Sequence, residues 1–271
     1  MINNISFPNL GLEFEVNRIA FSIFGIDVYA YGFLIGIGLL LAFVYGAYES
    51  KKTDLAQDDL LNMILIALPS AIVGARLYYV AFQWDSYKGD LASVFNLRQG
   101  GLAVYGGIIG AAIAIFFYCR KKKINIGKPL DILAIGLLIG QAIGRWGNFV
   151  NGEAFGSETN LPWAMTVVHK GNFIAQSVHP TFLYESLWNV VGLIILLATR
   201  RKKAFEGEIF CRYMIWYGAG RAMIEGLRAD SLYLGVFRVS QVLSVCLVIA
   251  AIGIIVYKRK KLKKPLTNEQ I

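Results

Sequence analysis

Seven long apolar runs, separated by short polar connections, set the pattern of this chain: residues 28–48, 60–82, 102–119, 129–150, 181–199, 208–228 and 239–257. Most are close to the ~20 residues that carry a helix across a bilayer. The sixth is the least apolar, because it holds Arg212, Arg221 and Glu225. Tyr29 to Gly32, reading YAYG, puts aromatic residues at the start of the first run, where an interfacial belt forms. Residues 1–27 are of mixed polarity and lack the basic start and small-residue cleavage site of a signal peptide, so they are expected to remain as an interfacial segment. Residues 151–180 are expected to form an extracytoplasmic connection or small head region, and 258–271 a basic cytoplasmic tail. The pattern predicts an all-α integral membrane protein, one polytopic domain over 1–271 with about seven transmembrane helices.

Composition agrees with a membrane protein. The chain is 56% hydrophobic and 17% charged, with mean hydropathy +0.53, too apolar for an ordinary soluble domain of this size. A net charge of +9 would suit nucleic acid, but the basic residues come in short runs directly after apolar stretches, as cytoplasmic membrane flanks do. Nucleic acid is therefore not an expected partner. The connections after runs one, three, five and seven hold 17 Lys and Arg, while Arg18, Lys88, Arg98, Lys170, Arg228 and Arg238 fall on the other side. That asymmetry predicts an outside N-terminus and a cytoplasmic C-terminus. Cys119, Cys211 and Cys246 lie in or beside apolar runs without metal-ligand spacing and read as small core residues. No metal or cofactor is expected.

The candidate chemistry centres on Gln141 to Gly156, QAIGRWGNFVNGEAFG, at the far end of the fourth run. Arg145 and Asn148 are three apart and share a helix face, and Asn151 and Glu153 follow where the helix gives way to glycine. Ionisable groups in a membrane segment are costly and face a partner or a cavity; the competing reading is a snorkelling arginine with helix-end polar residues. Tyr217, Arg221, Glu225 and Arg228 form one stripe of the sixth run, in which Arg221 and Glu225 also read as a plain intramembrane ion pair. Arg76 in GARLYY and the glycines Gly100, Gly101, Gly106 and Gly107 of RQGGLAVYGG belong to the same outer side. Arginines outnumber Glu153 and Glu225 there, a surplus that suits a phosphate, and in the outer leaflet the available phosphate is a lipid head group. His179 opens HPTFLYE as a base or as a hydrogen bond ordering the start of run five, with helix capping the plainer role; Tyr184 and Glu185 read as packing and pairing.

GARLYY, QGGLAVYGG, GRWGNFVNGEAFG, HPTFLYE and the R-x-x-x-E-x-x-R of Arg221 to Arg228 together resemble the bacterial prolipoprotein diacylglyceryl transferases, over nearly all seven runs. The resemblance implies a plasma-membrane enzyme that moves a diacylglyceryl group from phosphatidylglycerol to the lipobox cysteine of a prolipoprotein and releases glycerol phosphate. It implies that Arg145, Asn148, Glu153 and Gly156 belong to the signature, Arg221 and Glu225 to a second essential pair, and Tyr31 to a tyrosine near the outer end of the first span. Many members carry histidine where this chain has Tyr105, so histidine is not the base at that position. The expected division of work has Arg145 and Arg221 on the lipid phosphate and Glu225 or Tyr105 on the incoming thiol. Asn148 and Glu153 order the site, and Tyr31, Arg76, Gly106, Gly107, Gly156, His179 and Arg228 line it. A lipid or anion transporter would also need such arginines but would show paired broken segments, and a membrane scaffold would leave the clustered polar residues unexplained.

Overall fold

The computed structural model describes residues 2–97, 100–169, 172–228, 233–234 and 237–263. Arg98, Gln99, Lys170 and the tail from Lys264 onward, which entered the readings above, lie outside the described residues. The helices are α1 (Ala30–Ser50), α2 (Gln57–Phe82), the single turn α3 (Trp84–Tyr87), α4 (Val104–Lys122), α5 (Gly127–Asn151), α6 (Thr181–Thr199), α7 (Glu208–Glu225) and α8 (Val239–Lys263). Each predicted run is one long helix, displaced by a few residues at its ends, where capping and membrane-flank residues extend the apolar pattern.

Six of these helices are long and apolar enough to cross a membrane, and α7 is the exception because its charges lower its mean hydropathy. The chain is a multi-pass membrane protein. In their most apolar windows α1, α4 and α8 are only 11% buried, so most of their side chains face outward, while α5 and α6 reach 44% and 39%. The central position of α5 is visible in a core of Ala134, Ile135 and Leu138 against Leu196 of α6 and Ile209 and Tyr213 of α7.

The strands are β1 (Ile2–Phe7), β2 (Leu12–Asn17), β3 (Ile19–Ile23), β4 (Ile26–Tyr29), β5 (Met165–His169), β6 (Asn172–Val178), β7 (Tyr233–Leu234) and β8 (Phe237–Arg238). The predicted interfacial segment and the predicted connection meet in one antiparallel sheet of order β2-β1-β5-β6. Ile5 and Phe7 alternate inward from β1 onto Met165, Val167, Val178 and Phe182, so the sheet has its own small core over the start of α6. Asn3 and Arg18 donate to the carbonyls of Val150 and Asn151 at 2.9 Å each, pinning this head to the end of α5.

The chain divides into two compact units, Met1–Gly46 with Leu130–Ile271, and Ala47–Pro129. In the second, α2 and α4 approach so closely that a Cβ on Gly106 would overlap the carbonyl oxygen of Gly74 and the Cβ of Tyr78. A Cβ on Gly110 would likewise overlap the Ser70 carbonyl. In the first, α6 and α7 are locked by Trp188 and Trp216, whose rings stack with centroids 4.4 Å apart. Each indole donates to the other's backbone carbonyl, at 3.0 and 2.9 Å. Trp216 lies over Gly192 and Trp188 over Gly220, where any side chain would displace it.

Candidate active site

The site is built where α5 runs out. Helical spacing brings Arg145 to Asn148, whose side-chain oxygen accepts from Nη1 at 3.4 Å. The chain then turns through Gly152 and Ala154, both with positive φ (63° and 57°), which folds Glu153 back toward the helix it has just left. The Glu153 carboxylate accepts from Asn148 and Asn151, each at 3.2 Å, and its backbone N–H donates to the Asn148 carbonyl at 3.0 Å. The two asparagines satisfy Glu153, and among the described residues Arg145 pairs with Glu185 and not with Glu153.

The carboxylate that does meet the arginines is Glu185, one turn into α6. One of its oxygens lies 2.6 Å from Arg145 Nη2; the other lies 3.7 Å from Arg221 Nη1 and 3.3 Å from Arg228 Nη1. Arg221 also pairs with Glu225 at 2.7 Å along its own helix. Glu185 and Glu225 have side chains only 7% and 2% exposed, whereas Arg145 and Arg221 keep 22% and 20%. Arg145, Arg221 and Arg228 therefore gather around the buried carboxylates of Glu185 and Glu225, with Glu153 joined to Arg145 through Asn148. Glu185 stands where Glu153 was expected, as the carboxylate that meets the arginines.

Arg228 reaches the cluster from outside α7, because the helix stops at Glu225, short of the predicted stripe. Its backbone forms an antiparallel bridge with Gly156. Gly156 donates to the His179 carbonyl at 2.9 Å, and a Cβ there would sit 2.7 Å from the His179 Cβ and 2.8 Å from the Leu227 oxygen. Only glycine fits between these segments. Thr181 seals the same corner by donating to the Ala154 carbonyl at 2.5 Å. The His179 ring lies 3.3 Å from the Tyr184 hydroxyl, which also accepts from Trp163 at 2.7 Å. Tyr31 packs its ring onto Gly147 of α5, on the helix stretch that carries Arg145 and Asn148.

The remaining predicted residues belong to the Ala47–Pro129 unit. Arg76 is 5% exposed and donates to the carbonyls of Ser93, Val94, Asn96, Gly100 and Gly101 at 2.7–3.2 Å. All five guanidinium N–H groups are used. Gly106 is occupied by helix packing, whereas a Cβ on Gly107 would make only ordinary contacts, 3.4 Å from the Ala71 oxygen and 3.6 Å from the Ala75 Cβ. Tyr105 is 37% exposed in the first turn of α4, with a hydroxyl that makes no hydrogen bond among the described residues.

Sequence reasoning passed over Glu185 as mere pairing. The signal was there in the form of a carboxylate inside an apolar run, facing a chain with more buried arginines than nearby acids. Between α6 and α7, beside the Glu185–Arg221 pair, a narrow crevice opens, lined also by Asn189, Tyr217, Gly220 and Ile224. The groups assembled here can hold an anion and neutralise charge that develops on it; among the described residues no cluster of His, Cys, Asp and Glu could hold a metal ion.

Residues 18–257 match the family model described as prolipoprotein diacylglyceryl transferase. Among similar proteins, the phosphatidylglycerol–prolipoprotein diacylglyceryl transferase of Finegoldia magna is 46% identical over 250 residues, covering 92% of this chain and 98% of that protein. The enzyme of the same name from Clostridioides difficile is 44% identical over 254 residues, covering 94% and 100%. That of Enterococcus faecalis is 46% identical over 273 residues, covering 94% and 98%. With the match running from the residue before β3 into α8, the chain belongs to the prolipoprotein diacylglyceryl transferase family.

Proposed function

We propose that this chain transfers the diacylglyceryl group of phosphatidylglycerol to the thiol of a prolipoprotein's lipobox cysteine. The observation that carries the reading is the gathering of Arg145, Arg221 and Arg228 on Glu185. Sulfur attacks the glycerol carbon bonded to phosphate, the C–O bond breaks with its electron pair going to oxygen, a thioether forms and glycerol phosphate leaves. The barrier lies in making the thiolate and in neutralising the departing phosphate. Arg145 and Arg221, fixed by shared carboxylates, hold the phosphate in advance of the reaction and meet the charge that builds on it. Asn148 and Glu153 keep the end of α5 in register. Of the two candidate thiol partners, Glu225 belongs to the arginine cluster and is a carboxylate, so the thiol proton is assigned to it; Tyr105 belongs to the Ala47–Pro129 unit.

The enzyme acts in the bacterial plasma membrane, with its N-terminus outside and its site toward the extracytoplasmic leaflet, and both substrates reach it laterally from the bilayer. The test is to incubate purified protein with phosphatidylglycerol and a lipobox peptide, reading peptide mass and released glycerol phosphate. A diacylglyceryl mass gain that disappears with a Cys-to-Ser peptide supports the transferase; bound but intact lipid refutes it. Glu225→Gln should then slow turnover most below the thiol's own pKa, and unchanged turnover across pH would remove Glu225 from the reaction.

A further inference from the structure

The two-stranded hairpin of β3 and β4 has two unlike faces. On one, Phe21 pairs with Val28 and Ile23 with Ile26; on the other, Ser22 pairs with Asp27, and the serine hydroxyl donates to that carboxylate at 2.5 Å. Phe21, Ile23 and Ile26 on the apolar face are all exposed. The loop joining the strands is Phe24-Gly25, with both residues at positive φ (50° and 79°). Such a loop favours Asn or Asp before its glycine, because bulky side chains are strained in the left-handed region. This chain places a phenylalanine there and leaves it fully exposed. Phe24 thus adds strain without filling any part of the core, so its use lies in what the tip touches.

The surroundings of the hairpin select the partner. Phe21 meets Phe33, one turn into α1, edge to face with ring centroids 5.3 Å apart, and Phe33 is itself exposed on that helix. α1 is long and apolar enough to span a membrane and is only 11% buried in its most apolar window, so the apolar face of the hairpin continues the surface that α1 turns to lipid. The base is fixed to the same helix, since the Ala30 N–H donates to the Arg18 carbonyl at 2.8 Å. A two-stranded hairpin keeps unpaired backbone groups along its edges, which hydrocarbon does not tolerate, and the Ser22–Asp27 face belongs in water. A second copy of the chain fits less well, because so short a hairpin offers little of the ~1,200 Å² that a stable protein interface buries. We propose that the apolar face of this hairpin, tipped by Phe24, lies in the lipid head-group layer at the start of α1. This contact requires neither the transferase chemistry nor a particular orientation of the chain.

The test attaches an environment-sensitive fluorophore to single cysteines in the full-length protein, with the exposed Cys246 replaced by serine and Cys119 and Cys211 left buried. The protein is reconstituted at one copy per nanodisc of phosphatidylcholine and phosphatidylglycerol. A probe at Phe24→Cys should be quenched at least about two-fold more than one at Ser22→Cys by lipid spin-labelled near the top of its acyl chain, as expected for insertion by roughly 5–10 Å. Aqueous iodide should show the opposite order, quenching the Ser22 probe and sparing the Phe24 probe. Ile26→Cys repeats the measurement on the apolar face should the tip variant not fold. Equal iodide quenching at both faces would put the tip in water, and protection from both quenchers would put it against protein; either result overturns the proposal. So does lipid quenching that appears only after a lipobox peptide is added. Lipid quenching confined to the apolar face supports it, whether or not the same preparation lipidates a peptide.

Discussion

The guanidinium of Arg76 donates each of its five N–H groups to a backbone carbonyl, whereas that of Arg145 meets one carboxylate and one amide oxygen and keeps N–H groups to spare. The first side chain is consumed in ordering the Leu91–Phe95 turn and the glycines before α4; the second can receive a ligand. Two expectations follow from that difference. Arg145→Lys should keep the thermal midpoint and lose about 100-fold in turnover in the peptide lipidation assay, because a point charge cannot copy the two-pronged donor; full turnover would contradict the phosphate assignment. Arg76→Lys has three donors for five carbonyls, so amide exchange over residues 91–97 should quicken by about ten-fold, and exchange at the wild-type rate would show that the loop does not need the clamp. Arg145, Asn148 and Glu153 were legible in the sequence because helical spacing and a following glycine define them locally. The partner of Arg145 was not, since Glu185 lies on another helix and a single chain does not say which buried acid a buried base will meet.

At the scale of elements, hydropathy marked all seven long helices but misjudged what some of their glycines are for. In the sequence Gly106 and Gly107 read as lining the site. In the structure Gly106 faces Gly74 at a helix crossing and Gly107 has room for a methyl group. Gly106→Ala should therefore destabilise the protein by about 1–3 kcal/mol, and Gly107→Ala should be near neutral, as read from thermal midpoints in detergent; similar midpoints for both would refute the packing assignment. The opposite end of the helices is tied by charge. Asp131 of α5 accepts from Lys203 at 3.0 Å and from the backbone N–H groups of Gly207 and Phe210, while Glu208 accepts from Arg212 and Arg259. Burial opposes the Lys203 charge, but Glu206 and Asp131 outweigh it and hold the ammonium above the ordinary lysine value of 10.5. A raised folded-state pKa means that this contribution is complete below the ordinary value and is lost as pH climbs through the folded one. The wild-type thermal midpoint should fall above pH 10.5 by more than that of Lys203→Met, and parallel curves would show that the contact contributes nothing.

At the scale of the whole chain, the basic runs after the first, third, fifth and seventh apolar runs predict one orientation, with the N-terminus outside. A cysteine placed at Glu13, exposed on β2, should react with a membrane-impermeant maleimide in intact cells, and one placed at Lys261 only in inverted vesicles. The reverse pattern would place the site on the cytoplasmic face. The number, length and expected orientation of the helices are set by local composition, because a bilayer demands ~20 apolar residues per crossing and lysine and arginine resist translocation. The motif residues at the end of α5 are local for the same reason: their neighbours lie within one or two turns. The β-head is different, since β1 finds β5 across more than 160 residues, and two polar segments with modest alternation carry no mark of each other. So too with the ion cluster, which takes Arg145 from α5, Glu185 from α6, Arg221 from α7 and Arg228 from the segment bridged to Gly156. Buried charge must be matched in space, and only the packed helices decide which acid lies within reach of which base.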